Sequence, residues 1–306
     1  MIAAISYPPI PILELGPLAL SLHGLFAGIG FIVGATVLLK AVERRGFDQD
    51  KVSSVLTWAL VGAILGARLF TVPAHLGDPG YGISDVIGLG GAFSILGGYA
   101  GGILVAWFRM RRIGLDTPAL LDMAAPGLAI GAVVGRIGDF AIVEHLGSAT
   151  TFFLGYAVKP GYDLSPQHNA LECTPSGAVD GICGIYHPTW LYDMIGAAIL
   201  LGVLLWLIRT RASKFRYGQM FAIWLIWYGF QRFLIDFTRL GAAKLGTVAD
   251  GVMGPFTGSQ WGGLGASLIG VGLFVWFRRG ALVSADGDVE RGAIVEAPED
   301  VAEEVS

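Results

Sequence analysis

Seven apolar segments of about 20 residues each constrain the fold of this chain more than any other feature. They lie at residues 18–39, 52–72, 87–107, 119–140, 189–208, 217–237 and 256–277. A helix of about 20 mostly apolar residues is long enough to cross the hydrocarbon core of a bilayer. In the whole chain 54% of the residues are hydrophobic and only 14% are charged. The sequence therefore predicts an all-α polytopic membrane protein with seven transmembrane helices.

The lysines and arginines between these segments predict the orientation of the chain. Thirteen of them follow the first, third, fifth and seventh segments: Lys40, Arg44, Arg45, Lys51, Arg109, Arg111, Arg112, Arg209, Arg211, Lys214, Arg216, Arg278 and Arg279. The connections 73–86, 141–188 and 238–255 contain only Lys159, Arg239 and Lys244. Because cytoplasmic loops are enriched in Lys and Arg, we expect the N-terminus outside and the C-terminus in the cytoplasm.

The composition of the chain predicts a membrane domain followed by a C-terminal tail. Residues 1–280 form the predicted membrane domain, with an extracytoplasmic loop at 141–188. Residues 281–306 hold eight acidic residues against a single Arg291, without apolar periodicity, which predicts a disordered cytoplasmic tail. The rest of the chain is slightly basic, and nothing indicates a nucleic-acid partner. Residues 1–17 contain no Lys or Arg, so we expect the first helix to be retained and not cleaved as a signal peptide.

The chain has two cysteines, Cys173 and Cys183, and both lie in the long loop. The two can form a disulfide if the loop is extracytoplasmic, and two unpaired thiols are the alternative. The five histidines, at positions 23, 75, 145, 168 and 187, show no ligand spacing. We therefore predict no metal site and no cofactor.

Charged residues inside the apolar segments are the main candidates for function. Arg68, Arg136 and Arg232 lie four or five residues from the outer ends of their segments, and His23 lies at a similar depth in the first. This places them roughly 6 to 8 Å below the outer boundary. A single arginine there could simply extend to the headgroups. Three arginines in one band, with no matching set in the inner half, indicate an anionic ligand such as a phosphate of the membrane lipids.

Carboxylates follow two of these arginines closely. Asp236 is four residues after Arg232, while Asp139 and Glu144 come after Arg136. Residues three or four apart on a helix are neighbours. These carboxylates would keep the arginines oriented, or they would form purely structural ion pairs.

Seven blocks of sequence, the first of them in two parts, match one known family in order. They are residues 16–17, 21–25, 66–70, 94–98, 122–126, 135–147, 187–193 and 228–239. In these blocks the chain resembles the prolipoprotein diacylglyceryl transferases, which are bacterial enzymes with seven spans. The resemblance implies an enzyme of the cytoplasmic (inner) membrane. It would move a diacylglyceryl group from phosphatidylglycerol to the lipobox cysteine of a prolipoprotein signal peptide, forming a thioether and releasing glycerol phosphate.

The resemblance also suggests site residues. Arg136 and Arg232 occupy the positions of the family's two phosphate-handling arginines, and Glu144, Gly147 and Arg239 match other signature positions. We add Arg68, Asp139, Gly97 and Gly98 as candidate substrate-binding residues. The small residues around Gly97 and Gly98 allow either close helix packing or close approach of a lipid.

The chain departs from the family at several positions. The family usually has Tyr, Asn, Gly and Gln where this chain has His23, Asp139, Val143 and Trp190. It usually has His at Leu96, and a leucine cannot exchange a proton.

Deprotonation of the substrate thiol would then fall to Glu144, His145 or His23, and the sequence does not decide among them. One hypothesis is that His23 takes over part of the lost histidine's work. The rival is that the arginines stabilise the thiolate and the phosphate without any histidine.

Two alternative functions follow from these departures and from the arginine band. The first is a paralogue of the family whose transferase activity is lost or redirected. The second is an anion or lipid transporter, in which arginines would line a conduction path. A transporter should have polar residues at the midplane and in both halves of the membrane. The nearly bare inner half of this chain disfavours it.

Overall fold

A computed structural model of the chain describes residues 5–10, 12–15, 18–69, 72, 95–162, 164, 175–244 and 252–293. These residues are mostly helical. The elements in chain order are β1 (Ile12–Leu15), β2 (Leu18–Ser21), α1 (Leu22–Arg44), α2 (Gln49–Leu69), α3 (Ile95–Arg112), α4 (Thr117–Ile142), β3 (Leu146–Ala149), β4 (Tyr156–Val158), β5 (Gly184–Pro188), α5 (Thr189–Arg211), α6 (Gln219–Ile235), α7 (Phe237–Lys244), β6 (Val252–Met253), β7 (Phe256–Thr257), α8 (Gly258–Phe277) and α9 (Ala285–Glu290).

Five helices in the described part of the chain are long and apolar enough to cross a membrane. They are α1, α2, α4, α8 and the segment Thr189–Lys214 that begins with α5. This confirms a polytopic, mostly helical membrane protein. The other two predicted segments contain α3, which ends in three arginines, and α6, which has 17 residues.

The first predicted span begins too early. The sequence predicts a helix from residue 18, but Leu18–Ser21 is strand β2, which pairs antiparallel with β1 in the register Ile12–Ser21 to Leu15–Leu18. A short apolar run does not distinguish a strand from the first turn of a helix. Helix α1 therefore begins at Leu22, and His23 lies in its first turn.

The described residues divide into two compact units. The first comprises residues 1–38 and 124–282, and the second comprises residues 39–123 and 283–306. In the first unit, α1 and α4 approach closely at paired glycines. A Cβ atom on Gly30 would lie 2.6 Å from the carbonyl oxygen of Gly131, and one on Gly34 would lie 2.6 Å from that of Gly127. Small residues at these positions allow the two backbones to meet.

A small sheet follows α4 in the first unit. Its strands are ordered β3–β5–β4 and are all antiparallel. Val143, between α4 and β3, is fully buried with Leu146 and Tyr156, yet its φ is +53°. Cys183, next to β5, is disulfide-bonded, so of the two alternatives for the cysteines the structure has the disulfide.

The second unit contains α2 and α3, which pack on each other through glycines such as Gly62 and Gly101. It also contains α9, in a stretch for which the sequence predicts disorder. Nε of Arg45 donates to Asp288 at 2.9 Å, and Arg291 pairs with Asp116 at 2.6 Å. These ion pairs, which no local sequence pattern predicts, hold the tail as far as residue 293. The rest of the tail lies outside the described residues.

Candidate active site

Charged side chains from five helices of the first unit form a continuous row in which the charges alternate. Its members in spatial order are His23, Asp139, Arg136, Asp193, Arg232, Asp236 and Arg239. We call this set the charged row. It connects α1 to α4, then to α5, α6 and α7, so residues more than 200 positions apart in the chain belong to one network.

The centre of the charged row is Arg136 on α4. Its Nη1 lies 2.5 Å from Oδ2 of Asp139, three residues later on the same helix face. Its Nη2 lies 2.9 Å from Oδ2 of Asp193 on α5. Two carboxylates therefore fix the plane of this guanidinium group.

Asp193 joins the two arginines that the sequence singles out. The same oxygen that contacts Arg136 lies 3.5 Å from Nη1 of Arg232. Nε2 of Gln231 donates to the backbone carbonyl of Asp193 at 2.9 Å, and Oε1 of Gln231 accepts from the indole of Trp227 at 2.9 Å. This polar support holds Asp193 in place between α4 and α6.

At the Arg239 end of the charged row, the contacts centre on Asp236, which is fully buried at the end of α6. Its Oδ1 lies 3.4 Å from Arg232 and 3.1 Å from Arg239, and its Oδ2 accepts from the hydroxyl of Thr257. Thr257 caps the N-terminus of α8 in a capping box with Gln260. This confirms the predicted i, i+4 pair of Arg232 and Asp236, and it ties that pair to α8.

The candidate bases lie at the His23 end of the charged row. Nδ1 of His23 lies 2.6 Å from Oδ1 of Asp139 and 3.6 Å from Oε2 of Glu144. Burial raises the pKa of the Glu144 carboxyl. Burial lowers the pKa of His145 to about 3, and its Nδ1 has no hydrogen-bond partner among the described residues. A histidine with so low a pKa holds a proton too weakly to act as a thiol base near neutral pH.

Apart from Arg239, the basic side chains of the charged row are more exposed than its carboxylates. The side chains of Asp139, Asp193 and Asp236 are 2%, 9% and 0% exposed. Those of His23, Arg136 and Arg232 are 43%, 25% and 18% exposed. The three carboxylates thus lie behind, and His23, Arg136 and Arg232 remain partly accessible. Such an arrangement presents oriented N–H donors to an anion.

Two other residues that the sequence nominates, Arg239 and Gly147, have contacts of a structural kind. Arg239 belongs to the charged row but is nearly buried, with 4% of its side chain exposed, so its described contact with Asp236 is structural. A Cβ atom on Gly147 would lie 2.6 Å from the carbonyl oxygen of Thr238. Gly147 therefore allows β3 to pack against α7.

Three further nominated residues belong to the second unit. Arg68 is buried near the end of α2. Gly97 and Gly98 lie in the first turn of α3. A Cβ atom on Gly98 would lie 3.5 Å from the carbonyl oxygen of Ala63 and 3.5 Å from Cβ of Ala67, both on α2. Helix packing accounts for this position of Gly98. Leu96 also lies in the first turn of α3, but its side chain is outside the described structure.

Sequence reasoning missed Asp193 as a site residue, although a signal was present. Asp193 is an acidic residue near the outer start of an apolar segment, the kind of position used to select the arginines. The same rule applied to acidic residues would have found it. Ser259, whose hydroxyl accepts from Arg232 at 2.9 Å, carries no comparable signal.

His23, Asp139 and Glu144 also have a spacing that a metal ion could use. One ligand atom from each lies within 4.8 Å of the others. However, the two oxygens of Asp139 already contact His23 and Arg136, and a guanidinium at 2.5 Å opposes a further cation. The arrangement therefore suits a hydrogen-bonded cluster better than a metal site.

Comparison with known proteins identifies the family. Residues 11–276 match the family profile described as prolipoprotein diacylglyceryl transferase. Proteins named phosphatidylglycerol–prolipoprotein diacylglyceryl transferase from Frankia alni and Halalkalibacterium halodurans are each 31% identical to the chain, over 246 and 239 residues. These alignments cover 79% and 76% of this chain.

The relatives differ in how much of their length is matched. The chain spans 76% of the Halalkalibacterium protein, 60% of the Frankia alni protein and 56% of a relative from Frankia casuarinae. The profile match and the Halalkalibacterium alignment are both extensive. The chain therefore belongs to the prolipoprotein diacylglyceryl transferase family.

Proposed function

We propose that the chain transfers the diacylglyceryl group of phosphatidylglycerol to the lipobox cysteine of a prolipoprotein, which makes it a diacylglyceryl transferase. The observation that carries this proposal is that two arginines of the charged row are more exposed than the carboxylates that hold them. Partly exposed Arg136 and Arg232 stand in front of the buried carboxylates of Asp139, Asp193 and Asp236. Such a site suits the phosphate of a lipid headgroup. The names of the relatives specify a phosphatidylglycerol donor and a prolipoprotein acceptor.

The carboxylates orient Arg136 without using all of its donors. A guanidinium group has five N–H bonds, and the carboxylate contacts of Arg136 engage its two terminal nitrogens, each of which carries two. Donors therefore remain for phosphate oxygens. Because arginine stays protonated at any relevant pH, its charge is available throughout the reaction.

In the proposed reaction the thiolate sulfur attacks the glycerol carbon that bears the phosphate ester. A carbon–sulfur bond forms, the carbon–oxygen bond to phosphate breaks, and its electron pair leaves on glycerol phosphate. Arg136 and Arg232 would stabilise the negative charge that grows on the departing phosphate. The site also holds the lipid in place for attack, which lowers the entropic part of the barrier.

The same proposal includes the orientation. We infer seven spans, with α3 and α6 as the two beyond the five long apolar helices, the N-terminus outside and the C-terminus in the cytoplasm. The distribution of Lys and Arg supports it. The disulfide at Cys183 adds support, because disulfides persist on the oxidising side of a membrane. The charged row would then lie near the outer leaflet of the bacterial cytoplasmic membrane.

A direct assay tests this function. The purified protein is incubated with phosphatidylglycerol and a lipobox peptide, and the peptide is analysed by mass spectrometry. We expect a diacylglyceryl adduct on the cysteine and release of glycerol phosphate. A folded protein that gives no adduct would contradict the proposal and favour the paralogue without transferase activity, or the transporter.

A further inference from the structure

The hydrogen bond between His23 and Asp139 has the form of a base held by a carboxylate. Nδ1 of His23 lies 2.6 Å from Oδ1 of Asp139. When one ring nitrogen of a neutral histidine donates to a carboxylate, the other is left as the acceptor. Asp139 thus selects the tautomer in which Nε2 can take up a proton.

The local sequence builds this pair. His23 lies in the first turn of α1, and Asp139 follows Gly138 on α4. A Cβ atom on Gly138 would lie 2.9 Å from Cα of His23 and 2.9 Å from the carbonyl oxygen of Leu22. A side chain here would push α1 away from α4, so glycine permits the approach that brings His23 to Asp139.

The other contacts of Asp139 keep it in place. Its second oxygen accepts from Nη1 of Arg136 at 2.5 Å, which fixes the orientation of the carboxylate. Glu144 adds a second carboxylate, 3.6 Å from Nδ1 of His23. Two carboxylates therefore lie close to Nδ1 of His23, and Asp139 is the nearer of them.

A catalytic base must be accessible to its reactant, and of the pair His23 and Asp139 only the histidine is accessible. Asp139 is 2% exposed, whereas the His23 side chain is 43% exposed. The Coulomb attraction between two charged groups is strongest when both are shielded from water. Here the carboxylate is shielded and the imidazole remains accessible to a reactant. Nδ1 of His145, by contrast, is buried.

We propose that His23 and Asp139 form a catalytic pair, in which Nε2 of His23 accepts the proton of the substrate thiol and Asp139 positions the ring. This assignment rests on the proposed function. The thiol proton moves to His23, the sulfur forms its bond to the glycerol carbon, and the phosphate leaves with the electron pair of the broken bond. His23 then returns the proton to solvent.

The test compares two nucleophiles in one assay. A lipobox peptide with cysteine needs deprotonation near neutral pH, whereas the same peptide with selenocysteine is already ionised. The variant His23→Gln keeps a donor for Asp139 but cannot act as a base, and His187→Gln is the matched control for loss of a histidine. With the cysteine peptide we expect His23→Gln to lose about 10²-fold in kcat. With the selenocysteine peptide the loss should shrink to less than about tenfold.

A second measurement examines the pair without using activity. In nanodiscs containing protein with ¹⁵N-labelled histidine, the His23 signals are those missing from His23→Gln. We expect His23 to be protonated at Nδ1 and unprotonated at Nε2 in the neutral form, and this preference to weaken in Asp139→Asn. A neutral His23 that is protonated at Nε2, or a tautomer unchanged by Asp139→Asn, would overturn the pair.

The outcomes separate this inference from the proposed function. If the wild-type protein modifies neither peptide, the transferase proposal fails, and the role of His23 as a thiol base fails with it. If the wild type is active but His23→Gln loses equally with both peptides, the function stands and His23 is not the base. A loss confined to the cysteine peptide, together with the expected tautomer, supports the pair.

Discussion

Nη2 of Arg136 lies 2.9 Å from Oδ2 of Asp193, and this contact joins α4 to α5 at the centre of the charged row. The same oxygen reaches Arg232 on α6 at 3.5 Å. Asp193 therefore sets the relative position of the two arginines that would bind one phosphate. A site for a tetrahedral anion depends on that spacing, since a displacement of about 1 Å costs on the order of 10²-fold in rate.

Replacement of Asp193 tests whether its carboxylate is needed to position Arg136 and Arg232. In Asp193→Asn the side chain keeps its size and one acceptor oxygen but loses its charge. We expect transfer activity to fall about 10²-fold and stability by about 1 to 3 kcal/mol, measured by the adduct assay and by thermal unfolding in detergent. Asp180→Asn, on an exposed turn, is the control and should match the wild type. Normal activity in Asp193→Asn would show that the arginines do not need this link.

Val143 stores backbone strain. A β-branched residue at a φ of +53° is a rare exception, and the left-handed conformation costs about 1 to 2 kcal/mol. Val143→Ala loses buried contacts and keeps the strain, whereas Val143→Gly loses similar contacts and relieves it. We therefore expect the glycine variant to unfold at a higher temperature than the alanine variant, the reverse of the usual order. A less stable glycine variant would contradict this.

His145 should make the protein sensitive to acid. Its folded-state pKa of about 3 lies below the unfolded value of about 6.5, so between these values the unfolded state binds more protons. Stability should then fall as the pH drops below about 6.5. The raised pKa of Glu144 acts in the opposite direction and is common to wild type and variant.

The variant His145→Asn removes the titrating ring. Asparagine tolerates the φ of +62° at this position. We expect the unfolding temperature of the wild type to drop more between pH 7 and 5 than that of the variant. Equal drops would show that His145 is not responsible.

Thiol labelling tests the orientation. In a protein with Cys173 and Cys183 replaced by serine, we introduce Lys159→Cys or Arg111→Cys, both at exposed positions. An impermeant reagent added to intact cells should label the cysteine at 159 and not the one at 111. After the cells are opened, both should react. The opposite pattern in intact cells would place the charged row in the inner half of the membrane.

Much of the helical framework could be predicted from the sequence, because apolar runs of about 20 residues are a strong signal. The pair Arg232 and Asp236 could be predicted as well, since i, i+4 spacing is local. Asp193 could also have been predicted, because it is a charged residue near the outer start of an apolar segment, but the search for site residues in such segments considered arginines first. The contact of His23 with Asp139 depends on how α1 meets α4 at Gly138, which no local pattern contains.

The points at which helices begin and end were less predictable. Leu18–Ser21 is as apolar as the helix that follows, so only its pairing with β1 shows that it is a strand. Helix α9 is held by Arg45 and Asp116, residues far away in the sequence. In both cases the secondary structure depends on contacts with distant residues, and the pattern within one segment does not reveal those contacts.

The measurement that tests the central claim most directly is the adduct assay on lysine variants of the two arginines. Arg136→Lys and Arg232→Lys keep the charge but lose the planar fork that binds phosphate. Arg209→Lys, at an exposed position on α5, is the matched control. We expect the wild type and Arg209→Lys to form the diacylglyceryl adduct at similar rates, and the other two variants to be slower by about 10²-fold or more while remaining folded. Unchanged rates in both Arg136→Lys and Arg232→Lys would contradict the assignment of the charged row as the phosphate site.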